Sequence, residues 1–422
     1  MRAIVVIAFL TLSGGSLIAQ DTITLFGCHS QAFENAPRLK DREFIRQIGQ
    51  LKVDNASTNW YPSLELNGKL SYQSDVVTVA LTDPTIPVEF PEVPHDQYGL
   101  NLDISQTLYD GGITKQKKNY EEAIVAADLQ QVEVDLYGLK AKVNQFYFAI
   151  LVLQESRRNL EIHIQNLVNR HEVMRSAIQQ GTLLEAELKV IDVEVLKAKQ
   201  SMLEIDSRKK AYFGALTVLC GDEIHEGVHL EKPELDRLMG KQYNRPEYQW
   251  FDLKEASMEA GKELIGKQRM PVLYAFGQTG YGKPGYNMMS EEWDYYYMVG
   301  AGLRWNIWDW NNNNRERQVI EQQQYMLRNQ RATFDKEIES LKVQEEANLE
   351  QFRKSIELEE QVLKLQKEIS DHAATKLANG TITATDYITE LNKESMARIN
   401  LSTHQVKLMQ SIANYLTIQG NM

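Results

Sequence analysis

The sequence predicts an α+β fold, mainly α, in which one helix–strand–strand–long helical hairpin unit is used twice. Three observations carry this. The 422-residue chain matches itself at a constant offset of 199: Asp110 with Asp309, Gly181-Thr182 with Gly380-Thr381, and Gly221 with Gly420. A register held over that length without net insertion indicates duplication. Apolar residues then recur in alternating steps of four and three over far more residues than a globular helix needs. Finally, four short segments alternate apolar and polar residues, the period of a strand with two unlike faces.

Composition agrees with this outline. Charged residues make up 25%, hydrophobic residues 43%, and the mean hydropathy is −0.43, which excludes a polytopic helical membrane protein and a disordered chain. The formal net charge of −12, with no basic tract, argues against nucleic acid as a partner. Arg2, the apolar run Ala3–Leu12 and the small residues up to Ala19 read as a secretory signal over residues 1–19. That run is too short to span a bilayer of about 30 Å. Of the two cysteines, Cys28 superficially suggests a lipidation site, but Gln20, Asp21 and Thr22 separate it from the apolar run and Phe26 is bulky. Cys28 and Cys220 are read as buried free thiols, since spacing alone does not pair them.

The first repeat is placed at residues 20–221, a linker at 222–243 and the second repeat at 244–422. Each opens with a helix, about Gln31 to Asn55 and Glu247 to Lys267. Strands are placed at about 61–74 and 97–109, then 271–282 and 294–308. In the first, Leu64, Leu66, Leu70 and Tyr72 share a face; in the second, Tyr98, Leu100, Leu102, Ile104 and Leu108 do. Val272, Tyr274 and Phe276 set the apolar face of the third, diluted by Leu273 and Ala275 opposite. The fourth carries Tyr295, Tyr297, Val299, Ala301, Leu303, Trp305 and Ile307. Alternation of this kind fits membrane barrel strands and soluble sandwich strands alike.

Helical hairpins follow at about 112–220 and 311–419. Val132, Leu136, Leu139, Val143, Phe146, Ile150, Leu153, Leu160, Ile164, Leu167, Met174 and Ile178 form one seam, interrupted by Arg157 and His171. A helix over residues 112–179 spans about 100 Å. Gly181-Thr182 breaks it, Thr182 being placed to cap the next helix. The second copy is looser, with Phe334, Ile338, Leu341, Leu349, Phe352, Ile356, Val362, Leu365 and Ile369. Four strands cannot close a membrane barrel, and lipid forbids open edges. Strands that enter a membrane therefore require several chains to pool them.

Ile23-Thr24-Leu25 before a helix, Asn59-Trp60-Tyr61-Pro62-Ser63-Leu64, Leu108-Tyr109-Asp110-Gly111-Gly112 at the end of strand two, and the Gly-Thr pairs at the hairpin turns resemble the TolC-like outer-membrane efflux channels. The resemblance covers nearly the whole mature chain. It implies a homotrimeric, 12-stranded outer-membrane β-barrel continued by a periplasmic α-helical barrel in a Gram-negative bacterium. It further implies a passive exit duct for efflux or type I secretion, working with a periplasmic adaptor protein and an inner-membrane transporter. Gly181, Thr182, Gly380 and Thr381 become the adaptor-docking tips. Asp386, whose repeat mate is Glu187, becomes a pore-lining acid at the periplasmic constriction, its carboxyl raised by threefold repulsion, with Leu377 and Ile382 nearby where better-known members carry a polar lock. The departure is Asp309-Trp310-Asn311, which replaces Asp-Gly-Gly.

No catalytic or cofactor site is expected. His225-Glu226-Gly227-Val228-His229 satisfies the HExxH pattern of zinc peptidases, which needs both histidines on one helical face. Gly227 weakens a helix, and Gly221 and Pro233 bracket a linker, so no metal is assigned. Gly277, Gly280, Gly282 and Gly285 lie along a strand and its hairpin rather than before a helix, which argues against a phosphate loop. Trp305, Trp308, Tyr295 and Tyr297 are candidates for an aromatic belt against outer-membrane lipid, and Asn311–Asn314 for a helix cap. The competing reading is a soluble periplasmic coiled-coil adaptor or scaffold, in which the strands form a small sandwich.

Overall fold

The structure is a computed structural model that describes residues 22–77, 93–181, 184–221, 224, 226, 228–235, 245–288 and 290–421. The signal at 1–19, Thr182, His225 and most of the linker lie outside these residues. In chain order the elements are β1 (Thr22–Ile23), α1 (Leu25–Asn35), α2 (Asp41–Ser57), β2 (Ser63–Tyr72), β3 (Asp96–Tyr109), α3 (Ile113–Gln179), α4 (Glu185–Cys220), β4 (His229–Leu230), α5 (Pro246–Lys267), β5 (Val272–Lys283), β6 (Asp294–Arg304), α6 (Asn312–Ala378) and α7 (Ala384–Gln419). Both hairpins consist of a 67-residue helix followed by a 36-residue helix. No helix among the described residues is long and apolar enough to cross a membrane.

The chain divides into two units. One comprises Lys40–Asp135 and Arg245–Glu337 and contains a four-stranded antiparallel sheet ordered β2-β3-β5-β6. Its register fixes the faces. Leu64 pairs with Ile104 and Leu66 with Leu102; Ile104 pairs with Gly277 and Leu102 with Thr279; Gly277 pairs with Val299 and Thr279 with Tyr297. Directly paired residues share a face, so Leu273, Ala275 and Gly277 belong to the apolar side. Tyr274 and Phe276 therefore lie on the polar side, opposite to the sequence reading. The reason is close packing: a Cβ on Gly300 would meet the Phe276 ring at 2.6 Å, and one on Gly302 would meet the Tyr274 ring within 2.4 Å. The aromatic rings occupy the space those glycines leave. The fourth strand also ends early, at Arg304, so Trp305, Ile307 and Trp308 lie beyond the ladder.

Asp110 and Asp309 end the two halves of the sheet in the same way. Asp110 accepts hydrogen bonds from Gly112 N at 2.9 Å and Thr114 N at 2.7 Å, and Asp309 accepts one from Asn313 N at 3.0 Å. Each aspartate satisfies amides at a helix start that would otherwise lack partners. Asp309, rather than the following asparagines, is thus the capping side chain. Gly111 and Gly112 are left-handed at φ 67° and 86°, and Trp310 and Asn311 take the same turn at φ 55° and 63°. The turn itself therefore tolerates side chains; what differs is space. A Cβ on Gly111 would meet Met270 Cβ at 2.1 Å, whereas one on Gly112 meets nothing within 4 Å. We expect Gly111→Ala to cost about 2–4 kcal/mol, from left-handed strain plus overpacking, and Gly112→Ala about 1 kcal/mol. Denaturant unfolding of the two variants distinguishes these values, and equal losses would refute the packing argument.

The other unit comprises Met1–Leu39, Leu136–Asn244 and Ile338–Met422. Its main core gathers Leu25, Val143, Tyr147, Phe148, Ile150, Leu151, Phe213, Leu216, Val406 and Leu416. Tyr147, Phe148 and Leu151 stand off the α3 seam yet are buried, because α1 and the parallel β1–β4 pair cover α3 at this level. The Tyr147 hydroxyl lies 3.0 Å from Ile23 O and 2.6 Å from Glu231 O, tying both short strands to the helix. Cys28 is fully buried within α1, which Thr24 caps by accepting from Gly27 N at 3.1 Å. Lipidation at Cys28 would remove that cap and the β1 strand. On α6 the seam expected at Val362, Leu365 and Ile369 is exposed in a single chain.

Candidate functional site

Two surfaces stand out: the apolar face of the sheet and the turns of the helical hairpins. On the sheet, Leu66 is 68% exposed, Leu70 75%, Tyr297 76% and Val299 76%. β2 and β6 are the edge strands, each with one neighbour among the described residues. From Tyr295 to Leu303 the apolar face extends about 26 Å along the strand at 3.3 Å per residue, close to the height of a barrel's lipid-facing band. Aromatic residues mark both ends. At the hairpin end Trp293 lies between Tyr281 (ring centroids 5.3 Å) and Tyr98 (5.7 Å), beside exposed Tyr295. At the helix end stand Tyr61, Tyr109 and Trp305, exposed as well; the Trp305 indole donates to Arg269 O at 3.1 Å. Trp308 packs edge-on against Trp310 at 5.9 Å. Sequence reading missed Trp293, Tyr98 and Tyr281 as one cluster, because only the strand register brings them together.

The opposite face is polar and internally paired. Asp103 accepts from Asn67 Nδ2 at 2.8 Å and from Gln278 Nε2 at 2.7 Å, and Tyr286 OH donates to Gln278 Oε1 at 3.0 Å. Asn101 accepts from the Tyr296 hydroxyl. Such a ladder holds polar side chains across all four strands at no desolvation cost if that face meets water.

At the hairpin turns Gly181 and Gly380 are left-handed, at φ 74° and 68°, as a helix C-terminus requires. Thr381 donates through its backbone N and its hydroxyl to Lys376 O, at 3.0 and 2.9 Å. α4 begins after Leu184, whose side chain makes no capping hydrogen bond; Thr182, the cap expected from the sequence, lies outside the described residues. α7 is the well-capped helix: Thr383 accepts from Asp386 N, and Asp386 Oδ2 accepts from Thr383 N at 3.0 Å and Thr383 Oγ1 at 2.7 Å. This reciprocal capping box holds the Asp386 carboxyl below the usual aspartate value through the Thr383 side-chain and backbone hydrogen bonds. Within one chain the shift is therefore downward, not upward as the threefold reading expects.

Glu187 reaches the same place from the other hairpin, its Oε2 accepting from Ala384 N at 2.6 Å. The structure thus brings both sequence-selected acids to the start of α7. That cross-hairpin contact carries no local sequence signal. Beneath it lies a second apolar cluster of Leu167, Met174, Ile191, Leu377, Tyr387, Ile388 and Leu391, in which Leu377 is buried within its own chain.

The HExxH pattern fails on backbone grounds. His229 sits in β4, paired with Thr22, not on a helix, and His225 lies outside the described residues. No group of three potential metal ligands occurs among the described residues.

Residues 29–222, from within α1 to just past the end of α4, match the outer membrane efflux protein family. No curated protein matches the chain by sequence. Its fold is similar to that of the outer membrane protein VceC from Vibrio cholerae, at 13% identity and TM-score 0.66, over 94% of this chain and 96% of that one. It is likewise similar to the open state of the MtrE outer membrane channel from Neisseria gonorrhoeae, at 14% identity and TM-score 0.64, over 94% and 88%. The CmeC outer membrane channel from Campylobacter jejuni gives 13% identity and TM-score 0.64, over 94% and 85%.

Proposed function

We infer that this chain, a TolC-like outer membrane efflux protein by the pattern of its first repeat and by the fold of nearly its whole length, is the passive exit duct of a multi-component export machine. One observation carries the reading: a sheet with a strongly exposed apolar face, a hydrogen-bonded polar face and two edge strands. In water such a surface is an aggregation hazard. In an outer membrane its four strands are one third of a barrel, and three copies supply twelve strands, an even number as bacterial barrels have. The exposed α6 seam then meets another copy. A soluble scaffold with a sandwich would bury the face that here is open, so that reading is not favoured.

The duct has no motor of its own, so a periplasmic adaptor and an inner-membrane transporter supply the drive and the cargo. The hairpin turns at Gly181-Thr182 and Gly380-Thr381 are assigned to adaptor docking, because 67 helical residues separate each turn from the sheet along the chain. Thr381→Cys should crosslink to the adaptor in intact cells, and Pro84→Cys, placed by the sequence in the loop between the first two strands of the sheet and outside the described residues, should not. Asp386 is assigned to the constriction, with Glu187 bracing its helix. Three Asp386 carboxylates around one axis attract cations. In planar bilayers the trimer should conduct, and Asp386→Asn should lower cation preference and block by multivalent cations while leaving the trimer intact. Absence of conductance from a correctly assembled trimer counts against the duct; unchanged selectivity in the variant counts against the Asp386 role.

A further inference from the structure

Cys28 and Cys220 are the only cysteines in the chain, and 192 positions separate them. The fold nevertheless sets them side by side. Cys220 Sγ donates to Cys28 O at 3.4 Å. Both are free thiols in this structure, as the sequence reading expects, and both are buried in the core formed with Leu25, Tyr147, Phe213 and Leu216. Cys28 stands one turn into α1, and Cys220 is the last residue of α4. A buried free cysteine packs as a small hydrophobe, and any small apolar residue serves as well. Packing gives no reason for the chain's two thiols to meet each other.

We propose that Cys28 and Cys220 form an intramolecular disulfide that fastens α1 to the end of α4. The setting rests on the outer-membrane reading, since an exported chain folds in a compartment where disulfides persist. The oxidant is the disulfide of a thiol–disulfide oxidoreductase or a small-molecule disulfide. One cysteine thiolate attacks it, forming a mixed disulfide and expelling one oxidant sulfur as thiolate. The second cysteine thiolate then attacks the chain sulfur of that mixed disulfide. The Cys28–Cys220 bond forms, the mixed bond breaks, and the oxidant leaves as its dithiol. It carries two electrons and takes up the two protons that the cysteines lost.

Oxidation precedes burial, as the chain emerges unfolded. The bond then closes a loop containing almost the entire first repeat. It secures a region already joined by the β1–β4 pairing and the Tyr147 hydroxyl, so the N-terminal segment and the entry to the linker move as one piece.

The test is thiol counting by intact mass on the full-length protein in mild detergent. Reduced protein is incubated with glutathione disulfide, one sample held native and one passed through urea, then denatured and alkylated with a maleimide. The expected product in the urea-cycled sample has lost two hydrogens, carries no maleimide and yields a peptide joining Cys28 to Cys220. The native sample reacts more slowly, because both thiols are buried. Cys28→Ser and Cys220→Ser should each retain one glutathione or one maleimide. Two maleimides, or one glutathione plus one maleimide, on the unsubstituted chain in both samples would overturn the pairing. The same count on protein taken directly from cells, without added oxidant, addresses the compartment. Free thiols there, with pairing in glutathione, contradict export rather than the pair.

Discussion

Val299→Arg should leave the chain unable to assemble in the outer membrane, with a loss of about 2–4 kcal/mol per copy for a charge at mid-depth of a lipid-facing strand. Val299 lies at the centre of the β6 apolar row, flanked by Tyr297 and Ala301, and is 76% exposed. Its cross-strand neighbour is Gly277, so nothing on the adjacent strand shields a guanidinium. In a trimer the penalty is repeated three times, enough to remove assembled protein from the membrane fraction. The adjacent substitution Met298→Arg falls on the polar face and should be tolerated. Fractionation and native gels report both outcomes. If Val299→Arg assembles as well as Met298→Arg does, the face does not meet lipid.

Acidification should destabilise the hairpin unit through His29 by about 3 kcal/mol between pH 6.5 and pH 4. Burial against α3 lowers its pKa from 6.5 to about 4, and the neighbouring Lys140 charge adds to the effect. The ring nitrogen Nε2 lies 2.8 Å from Asn144 Oδ1, and Asn144 Nδ2 donates to Thr417 Oγ1 at 3.0 Å. A base with a depressed folded pKa takes up its proton more readily when unfolded. Its contribution is therefore complete above pH 6.5 and is lost as pH falls toward 4. Carboxylates titrate in the same window, so the comparison is with His29→Gln, which should show a shallower fall in stability over that range. Parallel pH slopes for the two proteins would exclude His29 as the source.

The duplication, the hairpins, the strands and the family resemblance are legible along the chain, because these rest on short-range chemistry. A constant offset of 199 needs only that the copies were not interrupted, and both hairpins indeed carry helices of 67 and 36 residues. Glycines at the turns announce left-handed backbone before any contact is known. The side on which β5 lies was not legible, because Leu273 and Tyr274 are both acceptable on either face. Only pairing with β6 decides it, since the Tyr274 and Phe276 rings need the room above Gly302 and Gly300. The cap at Asp309 likewise depended on a left-handed turn at Trp310 and Asn311 that neither residue type advertises. Glu187 at the start of α7 and the meeting of Cys28 with Cys220 join positions nearly two hundred residues apart. Such contacts are set by how α4 packs against α7 and α1. That packing follows from which seams bury one another, and no local pattern along the chain encodes it.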